Sequence, residues 1–386
     1  MQPSSYRVAD AASIPSPALL YFRSHIERNI AEMIAIAGDP RRLRPHVKTF
    51  KTMGVVDMIR RHGVTRFKCA TIAEAEMLAA GGVDDILLAY QPVGPDVERV
   101  VTLLERYPEL SLTVLADCTA AIDALARAVE AAGEVAAPAS ADGGRPALPA
   151  GRRLGVAIDL ETGLRRTGAR FDAVAPLYRA VAAHGGLEAG GLHYYDGENH
   201  QSDLAERTAA ADEAYEGVAR LAATLREAGL DVPRVVMGGT PTFPCYARHD
   251  GVELSPGTCV IHDWGYASRL PDLPFTPAGL VLGRVVSTPG DDRFTIDVGS
   301  KSIAADPPGQ RGLIVGNEDA TSILQNEEHW VWETSGTRPG LGDEVLVVPT
   351  HICPTTALYE EALVVDADGQ IRERWPITAR RRMLTI

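Results

Sequence analysis

The strongest constraint on the fold of this chain is an alternation of short apolar segments with longer amphipathic ones, from about Ser16 to Ser268. The apolar segments predict strands at 18–21, 43–47, 66–70, 85–89, 111–116, 154–160, 187–194, 235–237 and 252–254. Apolar residues at helical spacing predict helices between them, including 23–37, 72–81, 97–107, 119–132, 174–184 and 204–228. Strands that alternate with helices are typical of parallel βαβ units, so the pattern predicts an α/β fold with a TIM-like (β/α)8 barrel.

The pattern changes after about Pro274, where short β-like runs replace the helices. These runs lie at 279–287, 293–298, 329–333, 344–348, 362–366 and 370–375. They predict a barrel over 16–273, followed by a mostly β domain over 274–386 that also includes the N-terminal 1–15. At 386 residues the chain also exceeds the size at which a single core stops growing. The Ala-, Pro- and Gly-rich segment at about 134–153 predicts a flexible surface insertion in the barrel.

Charge and composition limit the partners that the chain can have. The net charge of −13 argues against a nucleic-acid or anionic-membrane surface. No apolar stretch is long enough to span a membrane, and the polar N-terminus lacks the apolar region of a signal peptide. The five cysteines are odd in number and scattered, which is typical of a reducing compartment. We therefore expect a cytoplasmic protein.

Lys48 directly follows the predicted strand 43–47. In a β/α barrel, chemistry takes place at the C-terminal ends of the strands. A lysine on a largely apolar strand loses stabilisation of its charge, which favours the neutral amine that forms a Schiff base. A surface lysine or one in an ion pair is the alternative, and the position of Lys48 alone does not decide between them.

Two glycine-containing loops follow two consecutive late strands, one over 237–242 and the other over 255–259. Glycines let backbone N–H groups approach an anion closely, and threonine hydroxyls add further donors. Each loop alone is typical of an ordinary turn. As a pair, they match the phosphate site that often lies beside the last strands of a β/α barrel.

Arg165 and Arg166 come directly after the predicted strand 154–160. They would therefore lie at the catalytic end of the barrel. From the residues alone, contact with a cofactor and exposure in a solvated loop are both open.

His351 and Cys353 follow the predicted strand 344–348. Residues two apart in extended chain point to the same side. An imidazole and a thiolate on one face are suitable ligands for a divalent ion such as Zn²⁺, and a site with two protein ligands leaves positions open for water and substrate. The alternative is a buried cysteine beside a hydrogen-bonded histidine.

Together these motifs resemble the fold-type III pyridoxal-phosphate enzymes, and more narrowly the metal-dependent D-threonine aldolase and D-serine dehydratase group with its alanine racemase-type barrel. The resemblance covers most of the chain. It rests on the segments 14–20, 44–49, 71–76, 191–197, 238–242, 255–258, 327–329 and 351–355.

The resemblance implies a role for each candidate residue. Lys48 would be the Schiff-base lysine, Arg166 would contact the phenolic side of the cofactor ring, and Tyr195 would lie beside the cofactor. The phosphate ligands would be Gly239, Thr240, Gly257 and Thr258, and the metal ligands would be His351 and Cys353. The metal would be zinc or manganese, with magnesium and cobalt as alternatives. The family also implies a homodimer.

The resemblance implies retro-aldol cleavage of D-β-hydroxy-α-amino acids to glycine and an aldehyde. The alternative is dehydration of D-serine or D-threo-3-hydroxyaspartate to ammonia and a keto acid, and a more remote one is a non-catalytic protein that binds pyridoxal phosphate. Ser255 stands where alanine racemases carry an arginine, which argues against a racemase. Cys353 favours a dehydratase, whereas the Tyr195-Asp196-Gly197 run favours an aldolase.

The base that accepts the hydroxyl proton has three candidates in an aldolase: His193, His329 and a metal-bound water. His193 ends a predicted strand, and His329 belongs to a motif shared with the family. In a dehydratase, Lys48 would instead remove the Cα proton. The two reactions use the same residues, so the sequence does not separate them.

Overall fold

The computed structural model describes residues 3–134, 148 and 151–386, so most of the predicted insertion at about 134–153 lies outside the described residues. The chain forms two compact units. One, which we call the β unit, comprises Met1–Ala35, Lys48–His62 and Thr258–Arg380. The other, which we call the barrel unit, comprises Ile36–Val47, Gly63–Gly257 and Arg381–Ile386.

Helices occur where apolar residues recur at helical spacing. They are α1 (Arg23–Ala37), α2 (Met53–Arg61), α3 (Ile72–Ala80), α4 (Pro95–Arg106), α5 (Thr119–Glu134), α6 (Val174–Ala183), α7 (Leu204–Glu227), α8 (Phe243–Tyr246), α9 (Trp264–Arg269) and α10 (Ile352–Ala357). Side-chain caps fix several starts: Thr71 accepts from the N–H of Glu74 in α3, and Asp203 accepts from that of Glu206 in α7. In the described part of the chain, no helix has the length and apolar character of a membrane span.

The strands are β1 (Ala18–Phe22), β2 (Arg66–Cys69), β3 (Asp85–Leu88), β4 (Ser111–Ala116), β5 (Leu154–Asp159), β6 (Leu187–Tyr194), β7 (Val235–Met237), β8 (Glu253–Leu254), β9 (Gly279–Ser287), β10 (Arg293–Ile296), β11 (Gly312–Ile314), β12 (Thr321–Gln325), β13 (Trp330–Glu333), β14 (Glu344–Pro349), β15 (Glu361–Val365) and β16 (Ile371–Pro376). Within the described residues, β2 to β8 form a parallel sheet of seven strands in sequence order. All six residues of β5 are buried, as expected for a parallel strand that is covered on both faces. The interior of this sheet is packed with apolar side chains from four strands: Leu87, Leu115, Ala157 and Val236.

The segment 43–46 joins the two edges of this sheet. Leu43 forms a parallel bridge to Leu254 of β8, and His46 forms one to Lys68 of β2. The N–H of His46 donates to the carbonyl of Pro256 at 2.7 Å, and the N–H of Lys68 donates to the carbonyl of Pro45 at 2.9 Å. The predicted barrel is therefore confirmed, but its predicted strand at 43–47 is an irregular extended segment, because Pro45 lacks an N–H and a 3-10 turn begins at Val47.

A buried ionic cluster holds this segment at the N-terminal ends of the strands. The guanidinium of Arg44 is fully buried. It donates to Glu253 at 2.5 Å and to Asp85 at 2.8 Å and 3.1 Å. Asp85 begins β3 and Glu253 begins β8, so the cluster lies at the end of the barrel that usually serves stability instead of catalysis.

The β unit contains a sheet of nine strands among the described residues, ordered β12-β13-β10-β9-β1-β15-β16, with β14 paired to β9 and β11 to β14. The prediction that β1 belongs to the barrel is wrong, because β1 pairs with β9 and β15 in this sheet. The strand itself was predicted correctly. Buried apolar strands look alike in sequence whichever sheet they join.

The core of the β unit is built on Trp330 and Trp332, which are fully buried with ring centroids 4.5 Å apart. They pack with other apolar side chains, among them Phe294, Ile296, Val281, Val345 and Val347. The predicted β-like runs all contain strands, but β11 and β12 were not predicted. Most of β12 is exposed and β11 is three residues long, so neither gives a strong apolar signal.

Candidate active site

Lys48 lies in the 3-10 turn Val47–Thr49, directly after the extended segment, and its side chain is half-buried. The adjacent Thr49 is fully buried, and its hydroxyl lies 3.1 Å from the thiol of Cys353. The charge of Lys48 also acts on this thiol. The β unit therefore brings the predicted Schiff-base lysine near one of the two predicted metal ligands.

The side chains of His351 and Cys353, the two predicted metal ligands, are hydrogen-bonded to each other. The geometry differs from the prediction, because the two residues do not lie in an extended chain. His351 is the N-cap of α10, and Cys353 lies in the first turn of that helix. The side chains meet because the chain bends at a helix start.

The two groups favour each other's charged forms. Burial alone would lower the pKa of His351, but the thiol of Cys353 and the carboxylate of Asp306 outweigh it and raise that pKa to about 9. Burial would likewise raise the pKa of Cys353, but His351, Lys48 and Thr49 outweigh it and hold that pKa below its ordinary value. A thiolate is the form of cysteine that binds a metal ion.

Two aspartates that the sequence analysis missed hold this pair in place. Oδ2 of Asp306 lies 2.6 Å from Nδ1 of His351. Oδ2 of Asp263 accepts from the N–H of Ile352 at 3.1 Å, and its Oδ1 caps α9. Burial raises the pKa of Asp263 to about 6, although these N–H groups stabilise its charged form. No local sequence signal identifies either residue, because both act across long sequence separations.

The pair offers only part of a coordination shell. In the described ranges, no group of three or more His, Cys, Asp or Glu side chains could hold a metal ion. A site with two protein ligands was predicted, and the donor set of imidazole and thiolate fits Zn²⁺ and similar ions. Thr258 was predicted as a phosphate ligand. Its hydroxyl lies 3.5 Å from the thiol of Cys353 and 3.5 Å from the hydroxyl of Thr49.

The barrel unit contains a second group of polar side chains around His193, which is 4% exposed. Nδ1 of His193 lies 2.7 Å from Oδ1 of Asp159, and Nε2 lies 3.5 Å from Nζ of Lys68. The hydroxyl of Thr167 donates to the other oxygen of Asp159 at 2.8 Å. Burial and the positive charge of Lys68 lower the pKa of His193, and they outweigh the opposite effect of Asp159. A neutral imidazole can accept a proton, as the predicted base must.

Tyr195 lies between two cationic side chains. The guanidinium carbon of Arg166 is 5.2 Å from the centre of its ring, and Nζ of Lys68 is 5.8 Å from it. Both distances are within the range of cation–π interactions. The barrel unit thus brings together the predicted residues Arg166, Tyr195 and His193, and adds Asp159 and Lys68, which were not predicted.

The first glycine loop lies against Tyr195, and the second lies against His46 in the extended segment. A Cβ on Gly239 would lie 2.9 Å from the ring edge of Tyr195, and one on Gly257 would lie 3.0 Å from the carbonyl oxygen of His46. The N–H of Gly257 donates to the hydroxyl of Thr240 at 3.3 Å, which links the loops. Only glycine fits at these two positions without displacing a neighbour.

A buried carboxylate, also missed in the sequence analysis, supports the first loop. Asp196 accepts from the hydroxyl of Thr242 at 2.8 Å and from that of Tyr246 at 2.7 Å. The hydroxyl of Thr242 in turn accepts from the N–H of Gly239 at 3.3 Å. Burial raises the pKa of Asp196 despite these donors. The Tyr-Asp-Gly run could have suggested a role near the cofactor, but not this one.

His329, the other predicted base, belongs to neither of the two groups of polar side chains described above. It is exposed in the turn between β12 and β13, where its carbonyl accepts from the N–H of Asn326 at 2.8 Å. Among the described residues, no side-chain hydrogen bond or ion pair joins it to His351 or Cys353. Its predicted catalytic role stays a prediction.

The residues present fit pyridoxal phosphate. In the β unit, Lys48 supplies an amine. In the barrel unit, taken by itself, the loops at Gly239 and Gly257 are cradles that a Cβ would fill. His351, Cys353 and the orienting carboxylate of Asp306 fit a divalent cation.

Comparison with known proteins gives matches to both parts of the chain. The family described as "Alanine racemase, N-terminal domain" matches residues 23–262, and "Putative serine dehydratase domain" matches residues 278–365. D-Threonine aldolase from Arthrobacter sp is 29% identical over 380 residues, which are 96% of this chain and 93% of that protein.

Solved structures share the whole architecture. That of D-threonine aldolase from Filomicrobium marinum is 28% identical with a TM-score of 0.85, and the match covers 96% of both chains. A variant of D-threo-3-hydroxyaspartate dehydratase, solved in the metal-free form, is 26% identical with a TM-score of 0.80. That match covers 95% of this chain and 98% of the dehydratase. Aldolases and dehydratases of this kind are lyases. This chain belongs to the alanine racemase N-terminal domain family of pyridoxal-phosphate-dependent barrel enzymes, in the branch that carries a serine dehydratase-type second domain.

Proposed function

We propose that this chain is a lyase that depends on pyridoxal phosphate and a divalent metal and cleaves D-β-hydroxy-α-amino acids to glycine and an aldehyde. The observation that carries the proposal is the hydrogen-bonded His351–Cys353 pair, oriented by Asp306 and acted on by the charge of Lys48. A racemase needs no such pair. A lyase that acts on a β-hydroxyl group has a use for a metal there.

Each residue has a distinct task in this proposal. Lys48 would bind the aldehyde carbon of the cofactor, and the loops at Gly239 and Gly257 would hold its phosphate. Arg166 and Tyr195 would lie at its ring. When bound, the cofactor withdraws electrons from the substrate bond that breaks at Cα.

His193 would accept the proton of the β-hydroxyl at Nε2. Its lowered pKa keeps the ring neutral near pH 7, and Asp159 holds the ring orientation through Nδ1. A general base must be unprotonated at the working pH and within reach of the proton that it removes. His329 lies at an exposed turn, so His193 is the better candidate of the two.

His351 and Cys353 would hold the divalent ion, zinc or manganese, with magnesium and cobalt as alternatives. Such an ion would polarise the β-hydroxyl oxygen and make its proton more acidic. The two protein ligands leave coordination positions for the substrate. The relative solved in a metal-free form supports a metal site in this group of proteins.

The second candidate is dehydration of a D-hydroxy amino acid to ammonia and a keto acid. A thiolate ligand, Cys353, and the match of residues 278–365 to a serine dehydratase domain favour it. In this reaction, Lys48 would remove the Cα proton, and the metal ion would help the hydroxide leave. The same groups serve both reactions, so the products must decide.

The test is to incubate the full chain with pyridoxal phosphate and each of the four metals, separately with D-threonine, D-serine and D-threo-3-hydroxyaspartate. Glycine with an aldehyde supports the aldolase, and ammonia with a keto acid supports the dehydratase. Activity should disappear with a chelator and return with the metal. Turnover that ignores the chelator, or no turnover of any D-hydroxy amino acid, would contradict the proposal.

The role of Lys48 has an independent test, because the chain contains only four lysines: Lys48, Lys51, Lys68 and Lys301. Borohydride makes the bond between the cofactor and its lysine permanent, and peptide mapping then identifies the labelled residue. We expect the label on Lys48 and its loss in Lys48→Ala. Lys301→Ala, a change at an exposed site, is the matched control and should keep both label and activity.

The homodimer that the family resemblance implies and the cytoplasmic location that the cysteines indicate remain proposals. Light scattering of the purified chain measures the mass of the assembly directly. A mass of one chain at micromolar concentration, with full activity, would contradict the dimer.

A further inference from the structure

Lys68 is a buried lysine to which the proposed reaction assigns no task. Lysine is rare in this chain, with four residues among 38 lysines and arginines. Lys301 is exposed, and Lys48 and Lys51 are half-buried, whereas Lys68 is 2% exposed. Burying an ammonium group is costly unless it finds partners. A cost of this kind suggests that the charge has a function in the barrel.

Two of the groups near Lys68 are residues of the candidate site. Lys68 lies on β2, and its Nζ is 3.5 Å from Nε2 of His193 on β6. The same Nζ lies over the ring of Tyr195, 5.8 Å from its centre. The ammonium therefore faces the nitrogen through which His193 would act as a base.

The hydrogen bonds fix which nitrogen of His193 carries the proton. The carboxylate of Asp159 can only accept, so Nδ1, 2.7 Å away, carries the hydrogen. Nε2 of the neutral ring is then an acceptor, and an ammonium group can only donate. Thr167 donates to the second oxygen of Asp159 and so steadies the carboxylate. Along the series Lys68, His193, Asp159 and Thr167, every hydrogen-bond donor therefore faces an acceptor.

We propose that Lys68 is a positioning residue that holds His193 in the neutral Nδ1–H tautomer and keeps Nε2 free of a proton until substrate binds. The inference rests on the proposed function, because it assumes that His193 is the base. Lys68 would act through His193 and need not touch the substrate.

The charges around His193 are consistent with this role. Asp159 on β5 favours the protonated ring, whereas Lys68 on β2 and Arg166 in the loop after β5 disfavour it. Burial also disfavours the protonated ring and is the largest effect, so the pKa of His193 is lowered. Removing the ammonium of Lys68 therefore makes His193 easier to protonate.

The decisive variant is Lys68→Met, which keeps an unbranched chain and removes the charge. Nitrogen NMR of the full chain labelled at histidine reports the tautomer and the protonation midpoint of each ring, and His193→Gln assigns the signal. We expect the Nδ1–H tautomer in the unmodified chain and a midpoint higher by about one pH unit in Lys68→Met. A midpoint that does not rise would overturn the proposal, whereas the tautomer can persist in this variant because Asp159 also holds it.

Two further variants separate charge from hydrogen bonding and remain informative if Lys68→Met does not fold. Lys68→Arg keeps the charge and should keep the midpoint. Lys68→Gln keeps a donor without the charge, so it should keep the tautomer while the midpoint rises. A midpoint that is the same in Lys68→Arg and Lys68→Gln would also overturn the proposal.

Turnover gives a second readout. The acidic limb of kcat/KM should move to higher pH in Lys68→Gln by the shift that NMR measures. The NMR result does not require turnover, so it stands even if the chain cleaves none of the substrates and the proposed function fails. Conversely, an active enzyme whose acidic limb does not move would reject the role of Lys68 alone.

Discussion

Oδ2 of Asp306 lies 2.6 Å from Nδ1 of His351, which leaves Nε2 as the nitrogen that can bind a metal ion. A carboxylate behind a histidine ligand fixes the tautomer and the ring orientation, and its loss usually weakens metal binding by about 10- to 100-fold. We expect Asp306→Asn to weaken Zn²⁺ or Mn²⁺ binding by about this factor. Competition with a chromophoric chelator measures the affinity.

The matched control for Asp306→Asn is Asp291→Asn, which removes an exposed carboxylate in the turn between β9 and β10. Its metal affinity should equal that of the unmodified chain. Equal affinities in Asp306→Asn and Asp291→Asn would show that Asp306 does not orient a ligand. Loss of Cys353, by contrast, removes a ligand and should lower the affinity further than loss of Asp306.

The sequence predicted the elements of the fold better than their partners. The apolar run 154–160 was predicted to be a strand, and β5 occupies 154–159 with all six residues buried. The equally apolar β1 gave the same signal, yet its partners, β9 and β15, lie more than 250 residues further along the chain. Periodicity reports burial within a segment and contains no information about such distant pairing.

For the site, the sequence predicted residues that carry their own chemical signature. The side chains of His351 and Cys353 meet as predicted, although at a helix start and not in extended chain. Asp306 and Asp159 were missed because only the fold brings them to their histidines. Lys68 left a signal that could have been used, since a lysine between buried Phe67 and Cys69 is unusual in a barrel strand.

The ionic cluster at Arg44 should be important for stability. Arg44→Met removes the fully buried guanidinium from Asp85 and Glu253 and leaves Arg66 paired with Glu253, and breaking such a buried cluster costs about 3 kcal/mol. We expect urea to unfold this variant at a clearly lower concentration. Arg41→Met removes an exposed guanidinium that is paired with Asp39, so the urea concentration at the midpoint of unfolding should not change in this variant. Equal midpoints for the two variants would mean that the buried cluster does not stabilise the fold.

His262 should make stability fall in mild acid. It is fully buried, and both of its ring nitrogens are without a hydrogen-bond partner among the described residues. Burial lowers its pKa from 6.5 to about 4, so between these values the unfolded chain binds a proton that the folded chain does not. The contribution of His262 to the free energy of unfolding is therefore present above pH 6.5 and is lost as the pH falls. We expect the free energy of unfolding to decrease by about 2 kcal/mol between pH 7 and pH 5.

His262→Asn tests this prediction, because asparagine tolerates the left-handed backbone at this position, where φ is 54°. Urea unfolding at pH 7 and pH 5 should show a smaller loss in this variant than in the unmodified chain. His200→Asn, a change in an exposed loop, should leave the loss as it is. The same acid sensitivity in all three chains would rule out His262 as its source.

Gly257 should matter more for cofactor binding than Gly239, because the two would meet different neighbours. A Cβ on Gly257 would press on the carbonyl oxygen of His46, which is backbone and bonded to β8 and β2 through its segment. A Cβ on Gly239 would meet the ring edge of Tyr195, which can turn. Neither glycine has a positive φ, so alanine is allowed by the backbone and only the contact differs.

We expect Gly257→Ala to weaken pyridoxal phosphate binding by about tenfold, which is about 1.4 kcal/mol, and Gly239→Ala to weaken it less. Fluorescence titration of the cofactor-free chain measures both affinities. Gly133→Ala, in α5 with open space around it, should leave the affinity unchanged. If Gly257→Ala also leaves it unchanged, the loop after β8 is not the phosphate cradle, and the phosphate must be held elsewhere.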